Sequence, residues 1–509
     1  MRLLTEDISS RHTTNEVLLE LALENNSDTR YFKNTLKLNG QWTEGNGLVT
    51  LNGDDVSQHS YNRSIGLSDR LHKVHRTDNG GGYELKSNNV FGQSPQALSI
   101  LGTEQRQDAK VTRITSKNSI SLIKNINRKR WTLVPTANIN IEYVGLSSIL
   151  NGVVDSLSRG DMDYLNAEAL IGTTIRYVKN DFRMTFNTPL SLSYTMVDNK
   201  SAPDNKDKTR FRFKPSVSII WKMSQRWSIY GDAGYNAKQT SWRQLFANYI
   251  MTDYRTVQRY VADLNDTQTL NAHSRIVYKD IFREFFFHID GTVSRTWKDI
   301  IYGTTIDDKS HTVIQAEYMP HHSDYFQVSA NISKGYKWHN TKLEATASLS
   351  QNDTKTLLQS VARNYCSRRY LLKGIASTDI VQRVRVNYNC SLSYLQSLSD
   401  DSMQKIFSFS QDLSVNISLI SNRLLLMTKC KYSHLPNNSG SINKSDYVFL
   451  DSSLTYRTKR KQHEFSLVAL NLTDTRNFIE CDNEEFVEYI RSYSLRPRGF
   501  MLTMRLMLH

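Results

Sequence analysis

The chain has 509 residues, with 64 Lys or Arg against 50 Asp or Glu and a formal net charge of +14. A mean hydropathy of −0.51, with apolar runs no longer than stretches such as Leu424 to Met427, excludes a helical membrane protein, whose spans need about 18–20 apolar residues. Aromatic residues at 10% and only 8 prolines exclude a disordered chain, which would lack aromatics and be rich in proline.

Residues 1–130 are the least regular part, and there Val17 to Asn25, Tyr31 to Trp42 and Ser64 to Arg76 are predicted strands. From Trp131 the alternation is clear. Trp131, Leu133, Ala137, Ile139, Ile141 and Tyr143 share one face, and Phe182, Met184, Phe186, Leu190, Leu192 and Tyr194 repeat the pattern. Phe211, Phe213, Val217, Ile219, Trp221 and Met223 alternate with Arg212, Lys214, Ser216, Ser218 and Lys222. A turn at Ser224 to Arg226 and the run from Trp227 to Tyr235 complete a hairpin. Within Trp242 to Val261 the pattern breaks. Trp242, Leu245, Phe246, Tyr249 and Ile250 fall at helical spacing, which predicts a short helix in a loop packed over the mouth of the fold. A second hairpin joins Phe326 to Ile332 with Leu343 to Leu349 through Lys337 to Asn340. In Phe407 to Leu419 the odd positions are apolar except Gln411, and the even positions are Ser, Asp and Asn. Phe500, Leu502, Met504, Leu506 and Leu508 alternate to the end.

A strand has a period of two, so each face is chemically uniform. These strands are long, where globular strands average about 5–6 residues. One face is apolar and the other is Ser, Thr, Asn and some charge. This is the pattern of a large transmembrane antiparallel β-barrel, whose apolar face meets lipid and whose polar face lines a wet lumen. Propellers and solenoids need a repeat of about 20–50 residues, and none is found. Sandwich strands are shorter and need more turn glycine than the 22 present. A coarse reading gives roughly 20–22 strands in one all-β domain over 1–509, and a barrel of that size usually holds a plug.

The search for chemistry is negative. The four cysteines, Cys366, Cys390, Cys430 and Cys481, are too scattered for a disulfide framework or a zinc cluster. His321-His322 beside Pro320 reads as a turn, because adjacent strand residues point to opposite faces. Gly80 to Gly82 lacks the Lys-Ser/Thr of a phosphate loop and reads as a flexible turn. Asp482, Glu484 and Glu485 beside Cys481 read as a solvated loop run rather than an acid/base pair. No residue carries a catalytic, cofactor-binding or metal-ligating signature, no cofactor is implied, and the ligand-binding residues stay unknown. Asn127 to Arg130 and Arg457 to Lys461 are the densest basic stretches. With no reader motif they point to outer-membrane lipid and lipopolysaccharide rather than to nucleic acid.

The C-terminal segments Phe465 to Asn477, with its Asn-Leu-Thr-Asp, and Tyr493 to Arg505, with Leu-Arg-Pro-Arg, resemble the last strands of TonB-dependent receptor barrels of the Bacteroidota type. Leu23 to Asn34 and Tyr249 to Arg255 are similar to stretches of the same group. The resemblance implies an outer-membrane transporter without enzymatic activity. It would take up a siderophore, cobalamin or oligosaccharide with a plug domain and a TonB complex encoded elsewhere. Three features depart from the family. Signal peptide, plug and TonB-contacting box are not seen ahead of Met1, and the last residue is His509 where an aromatic is usual. The chain therefore reads as the barrel portion, with a plugless pore or surface-interaction barrel as the alternative.

Overall fold

The computed structural model describes all residues except 1–5, 52–53, 78–80, 127–129, 153–155, 201–204, 255, 261, 307–311, 401, 421–422, 435–445, 459–462, 485–486 and 507–509. The chain forms an antiparallel meander. It begins with β1 (Glu6–Asn26), β2 (Arg30–Leu51), β3 (Asp54–Arg76), β4 (Gly82–Ile100), β5 (Arg106–Ile126), β6 (Trp131–Asn151) and β7 (Arg159–Lys179). Next come β8 (Phe182–Asn187), β9 (Leu190–Asn199), β10 (Lys206–Phe213), β11 (Ser216–Lys222) and β12 (Trp227–Gln239). A connection over 240–265 holds one helical turn, α1 (Trp242–Leu245), and two short strands, β13 (Ile250–Met251) and β14 (Thr256–Arg259). The meander resumes with β15 (Asp266–Asp280), β16 (Phe285–Ile306), β17 (Thr312–Tyr336), β18 (Thr341–Leu358), β19 (Val361–Val381) and β20 (Val384–Ser399). It ends with β21 (Ser402–Leu419), β22 (Leu424–His434), β23 (Asp446–Arg457), β24 (His463–Leu470), a separate hairpin of β25 (Asn477–Glu484) and β26 (Val487–Ser494), and β27 (Gly499–Leu506).

The main sheet has 25 strands, which make about 21 staves. β13 and β14 belong to a loop, and β8–β9 and β10–β11 are single staves interrupted at Pro189 and Pro215. Register is unbroken across both interruptions, since β7 pairs with β8 and then with β9 in one frame. Proline removes a ladder donor without moving the frame. The stave count agrees with the sequence-based range.

Cross-strand partners share a face, so the pairings propagate one alternation around the sheet. On β9, Leu192 is 54% exposed while Ser193 is 1% exposed. On β21, Phe407, Leu413 and Leu419 lie on the exposed face, with the serines of the even positions opposite. The three strands predicted in residues 1–130 lie inside β1, β2 and β3, and both predicted hairpins form. Sheet curvature follows from the 240–265 loop, which hydrogen-bonds to both β5 and β17. These staves would stand about 38 Å apart in a flat sheet at about 4.8 Å per strand. The fold is thus a large antiparallel β-barrel, and the covered face is its inner face.

The two ends differ. At one end no connection is longer than 77–81 or 458–462, whereas the other end carries 240–265, 435–445 and 471–498.

Two local expectations change. His321 and His322 lie within β17, not in a turn. Met319 and Pro320 oppose the single residue Asp299, so the ladder slips between Lys298 and Ile300. Proline is tolerated inside a sheet at such a bulge. The helix predicted within 242–261 is only the four-residue α1. The Ser241 N–H donates to Gln244 Oε1 at 3.1 Å and starts the turn, but Phe246 is already extended (φ −70, ψ 122). The apolar residues beyond it bury themselves by following the barrel wall rather than by lining one helix face.

Candidate functional site

The inner face changes character along its length. On β6 its lower part is Asn138, Asn140 and Glu142, and its upper part is Val144, Leu146, Ser148 and Leu150, all buried. The 240–265 loop covers that upper part. Leu245, Phe246, Ala262 and Leu264 pack with Val144, Leu146, Met162, Tyr164 and Val197 into one apolar cluster. Met251 joins Ile100 and Leu150 in a second.

Polar side chains fix the loop's path. The buried Gln107 accepts from the Met251 N–H at 3.0 Å and donates to Ser148 Oγ at 2.7 Å. Asn248 Nδ2 donates to the Arg159 carbonyl at 2.9 Å. The Ala316 N–H donates to the Tyr260 carbonyl at 3.0 Å. Burial pushes the Tyr260 hydroxyl's pKa up. Gly160 makes room for this layer. A Cβ there would stand 2.5 Å from Phe246 Cζ and 2.6 Å from Asn248 Cγ.

An ionic network lies beside the loop. Arg212 is buried and grips Asp266 with two 2.8 Å hydrogen bonds, donates to Ser193 Oγ and reaches Gln239 at 3.3 Å. Arg210 stands 3.4 Å from the same carboxylate. Lys214 pairs with Glu168 at 3.2 Å. Bidentate guanidinium–carboxylate geometry holds the β9–β10 hairpin against the stave of β15 where Pro215 has interrupted the ladder.

Further round the wall, β11, β12, β15 and β16 line an inner groove of about 540 Å³ that includes Tyr230, Asp232, His273, Arg275, Lys279 and His288. His273 Nδ1 lies 3.1 Å from Asp232, and Arg275 is hydrogen-bonded to Asp290. Mixed charge on a wet wall suits a polar solute. Among the described residues no group of three His, Cys, Asp or Glu side chains could hold a metal ion.

The second long connection also turns inward. Phe478 packs at a tilt against Tyr447 of β23 with ring centroids 5.0 Å apart, and the buried Tyr447 accepts from the Ile479 N–H at 3.0 Å. The two C-terminal sequence motifs meet at the base of this connection. Asn471 Nδ2 donates to the carbonyls of Thr475 and Arg496, both at 2.9 Å. Asp474 takes Arg476 at 2.9 Å and the Arg498 N–H at 3.1 Å. Asn471 and Asp474 have φ of 51° and 53°, a conformation that Asn and Asp tolerate better than other side chains. The Asn-Leu-Thr-Asp string is therefore a turn that clasps the two ends of a loop. The strand reading of Phe465 to Asn477 holds only to Leu470.

The remaining sequence features separate. His321 is buried with Nδ1 2.8 Å from the Met319 carbonyl, while His322 is 3.7 Å from Asp324 on the other face. Cys366, Cys390 and Cys430 are free thiols. The acidic run at Asp482 and Glu484 falls on β25, and Glu485 lies outside the described residues, as do Gly80 and most of both basic stretches. Arg130 and Arg457, the described arginines of the two stretches, lie at the short-turn end. Nothing in the alternation pointed to Gln107, Arg212 or Asp266, because each meets its partner only after the loop folds in.

No family model and no curated protein matches the chain. Among solved structures it is similar to the FrpB iron transporter from Neisseria meningitidis, at 9% identity over 99% of this chain and 81% of that one, with a TM-score of 0.44. It is also similar to the copper transporter OprC, at 9% identity over 98% and 80%, with a TM-score of 0.48. A third is the ferric-catecholate import receptor Fiu from K12 E. coli, at 11% identity over 98% and 81%, with a TM-score of 0.44. At these values the fold rests on the chain's own strand pairings.

Proposed function

We propose that residues 1–509 are a single outer-membrane barrel domain that passes a scarce polar ligand inward, as the barrel of a TonB-dependent-type receptor. The observation that carries this reading is the pair of long connections at one end folded onto the inner face, with a mixed-charge groove further along the same face. Outer-membrane barrels have short periplasmic turns and long extracellular loops, so the end with 240–265 and 471–498 faces outward. A ligand entering there meets the inward loops first and the mixed-charge groove below them. Binding and gating do the work, with no covalent step. Siderophores, cobalamin and oligosaccharides are the candidate ligand classes, and a plug domain and TonB complex from elsewhere would couple the energy. This orientation puts Arg130 and Arg457 toward inner-leaflet phospholipid rather than lipopolysaccharide.

The test is uptake in a strain lacking this chain. Loss of accumulation of one ligand class, restored by the gene, is expected. Unchanged uptake of every tested ligand would sink the reading. The second reading, a pore without energy coupling, is favoured by the inward loops themselves, which narrow the lumen without a plug. Planar-bilayer recording separates the two. Large steady current from the protein isolated with its native partners would support the pore, and a near-silent trace would support the plugged receptor.

A further inference from the structure

The inner face of β10 carries a cation at every second position, Lys206, Lys208, Arg210 and Arg212, and Lys214 follows in the same frame. Period two puts all of them on one side of the strand. Three have a carboxylate of their own. Lys206 pairs with Asp263 at 3.7 Å, Arg212 with Asp266 at 2.8 Å and Lys214 with Glu168 at 3.2 Å. Among the described residues Lys208 and Arg210, neighbours on that face, have none. The Lys208 ammonium reaches the Leu264 carbonyl, a neutral acceptor, at 3.2 Å. Arg210 stands 3.4 Å from Asp266, but both oxygens of that carboxylate are already taken by Arg212. The Arg210 side chain is 9% exposed, and its Nη1 and Nη2 are buried without a hydrogen-bond partner among the described residues.

The wall around these two cations is doubled. Among the described residues β10 ladders with β9 alone. Gln239 and Asp266 oppose each other on β12 and β15, on the face that carries Ile229 and Ile276 lower down, which is the outer one. Yet they meet the inner face of β9 and β10. Gln239 Nε2 donates to Thr195 Oγ1 at 2.7 Å, and Asp266 accepts from Arg212. The tops of β12 and β15 are therefore tucked inside the β9–β10 hairpin, and side chains join the two layers in place of a ladder. Lys208 is exposed and marks the open side of the gap between them. A guanidinium has five N–H donors and no acceptor, so two buried, unbonded nitrogens are costly. Carboxylate and phosphate oxygens match that fork.

We infer that the gap beside β10 is an oxyanion site, in which Arg210 and Lys208 take a phosphate or carboxylate group. Arg210 supplies Nη1 and Nη2 as paired donors, and Lys208 adds charge from the open side. Arg212 and Asp266 stay together and hold the two layers in place. The site lies at the base of the 240–265 loop, between β10 and the segment Leu264 to Asp266. Its ligand is a soluble anion in the lumen or the headgroup of an anionic lipid at the wall, since both present the same oxygens. The inference deepens the transport reading above and rests on it for the route by which a solute arrives.

Calorimetric titration of inorganic phosphate into the full chain, refolded in phosphatidylcholine vesicles, tests the site. Saturable binding is expected. Arg210→Gln should weaken it about ten-fold or more, the loss of one charged hydrogen bond. Lys117→Gln, at an exposed inner-face lysine of β5, should leave it unchanged. Adding phosphatidylglycerol to the vesicles separates the two sources. Competition with phosphate assigns the site to a headgroup, and an unchanged titration assigns it to a soluble anion. No saturable heat in a folded, heat-modifiable chain would overturn the inference, and so would equal affinity in Arg210→Gln. If that variant does not fold, amide exchange in the parent chain decides. Slower exchange from Arg210 to Arg212 in phosphate than in chloride is expected, and equal rates would overturn the site. Absent phosphate binding, with uptake of one ligand class lost in the strain lacking the chain, would remove the site alone. Phosphate binding with every uptake unchanged in that strain would remove the transport reading alone.

Discussion

The wall from β5 to β9 and the wall from β19 to β22 use the same alternation and end differently. On β6 and β9 the inner face carries buried residues, from Val144 to Leu150 and from Ser191 to Asn199. On β20 and β21 the inner face is mostly Asn, Ser and Asp, with Arg385, Gln404 and the Leu395–Ile406 pair, and among the described residues only Ser397 of β20 is buried there. The outer faces match in kind, with both Leu192 and Phe407 exposed. Alternation thus decides which face is polar or apolar along most of a strand. The loop that lands on a face decides whether it becomes a core.

Four measurements break or sharpen that contrast. The largest effect is expected from Phe246→Ala, which empties the centre of the covered wall. Deleting a fully buried Phe costs about 3–5 kcal/mol. The 240–265 loop should leave the wall, seen as faster proteolysis near residue 250 and higher single-channel current with the barrel still heat-modifiable. Unchanged proteolysis and current would mean that the loop does not depend on this cluster.

The uncovered wall supplies the next test. Val415→Arg puts a charge on the outer face of β21 and should cost about 2–4 kcal/mol near the membrane midplane. Asn416→Arg points into the lumen and should be tolerated. Folded fractions in vesicles read the difference, and equal fractions would reverse the face assignment.

Gln107→Leu keeps volume but strands the buried Met251 N–H and Ser148 Oγ. An unsatisfied buried partner costs about 1–3 kcal/mol. The expected result is faster amide exchange at Met251 with little change in barrel stability. Protection at the wild-type level would show that the hydrogen bond does not hold the loop.

The smallest effect concerns acid. Arg476 and the Arg498 N–H hold the Asp474 carboxyl below its ordinary pKa. Its folded value is depressed, so its contribution is complete above the ordinary carboxylate range and is lost as pH falls through the lowered folded value. The base of the 471–498 connection should therefore loosen only in acid, and Asp474→Asn should remove that pH dependence. Amide exchange at Thr475 against pH reads this, and a flat profile in the parent chain would contradict it.

Much of the fold is written locally. The outer and inner residues of β9, β11, β12, β18 and β21 are assignable from period two, because neighbouring strand residues must point to opposite faces. Where backbone chemistry intervened, the reading failed. Pro320 turned an apparent turn at His321-His322 into a bulge inside β17, and Phe246 ended a helix after four residues because burial against β6 and β7 outweighed local spacing. The C-terminal strings were recognisable as motifs, yet their role as a clasp depended on Asn471 reaching Arg496 from twenty-five residues away.

The sequence by itself determined the strand type, the two-faced chemistry, the approximate number of staves and the absence of a helical span, since each follows from residues a few positions apart. The tertiary structure alone decided that 240–265 folds inward, that Arg212 meets Asp266, and that Gln107 carries a loop 144 residues distant. Those contacts join residues far apart in the chain, and no local period encodes which distant partner a buried polar group will find.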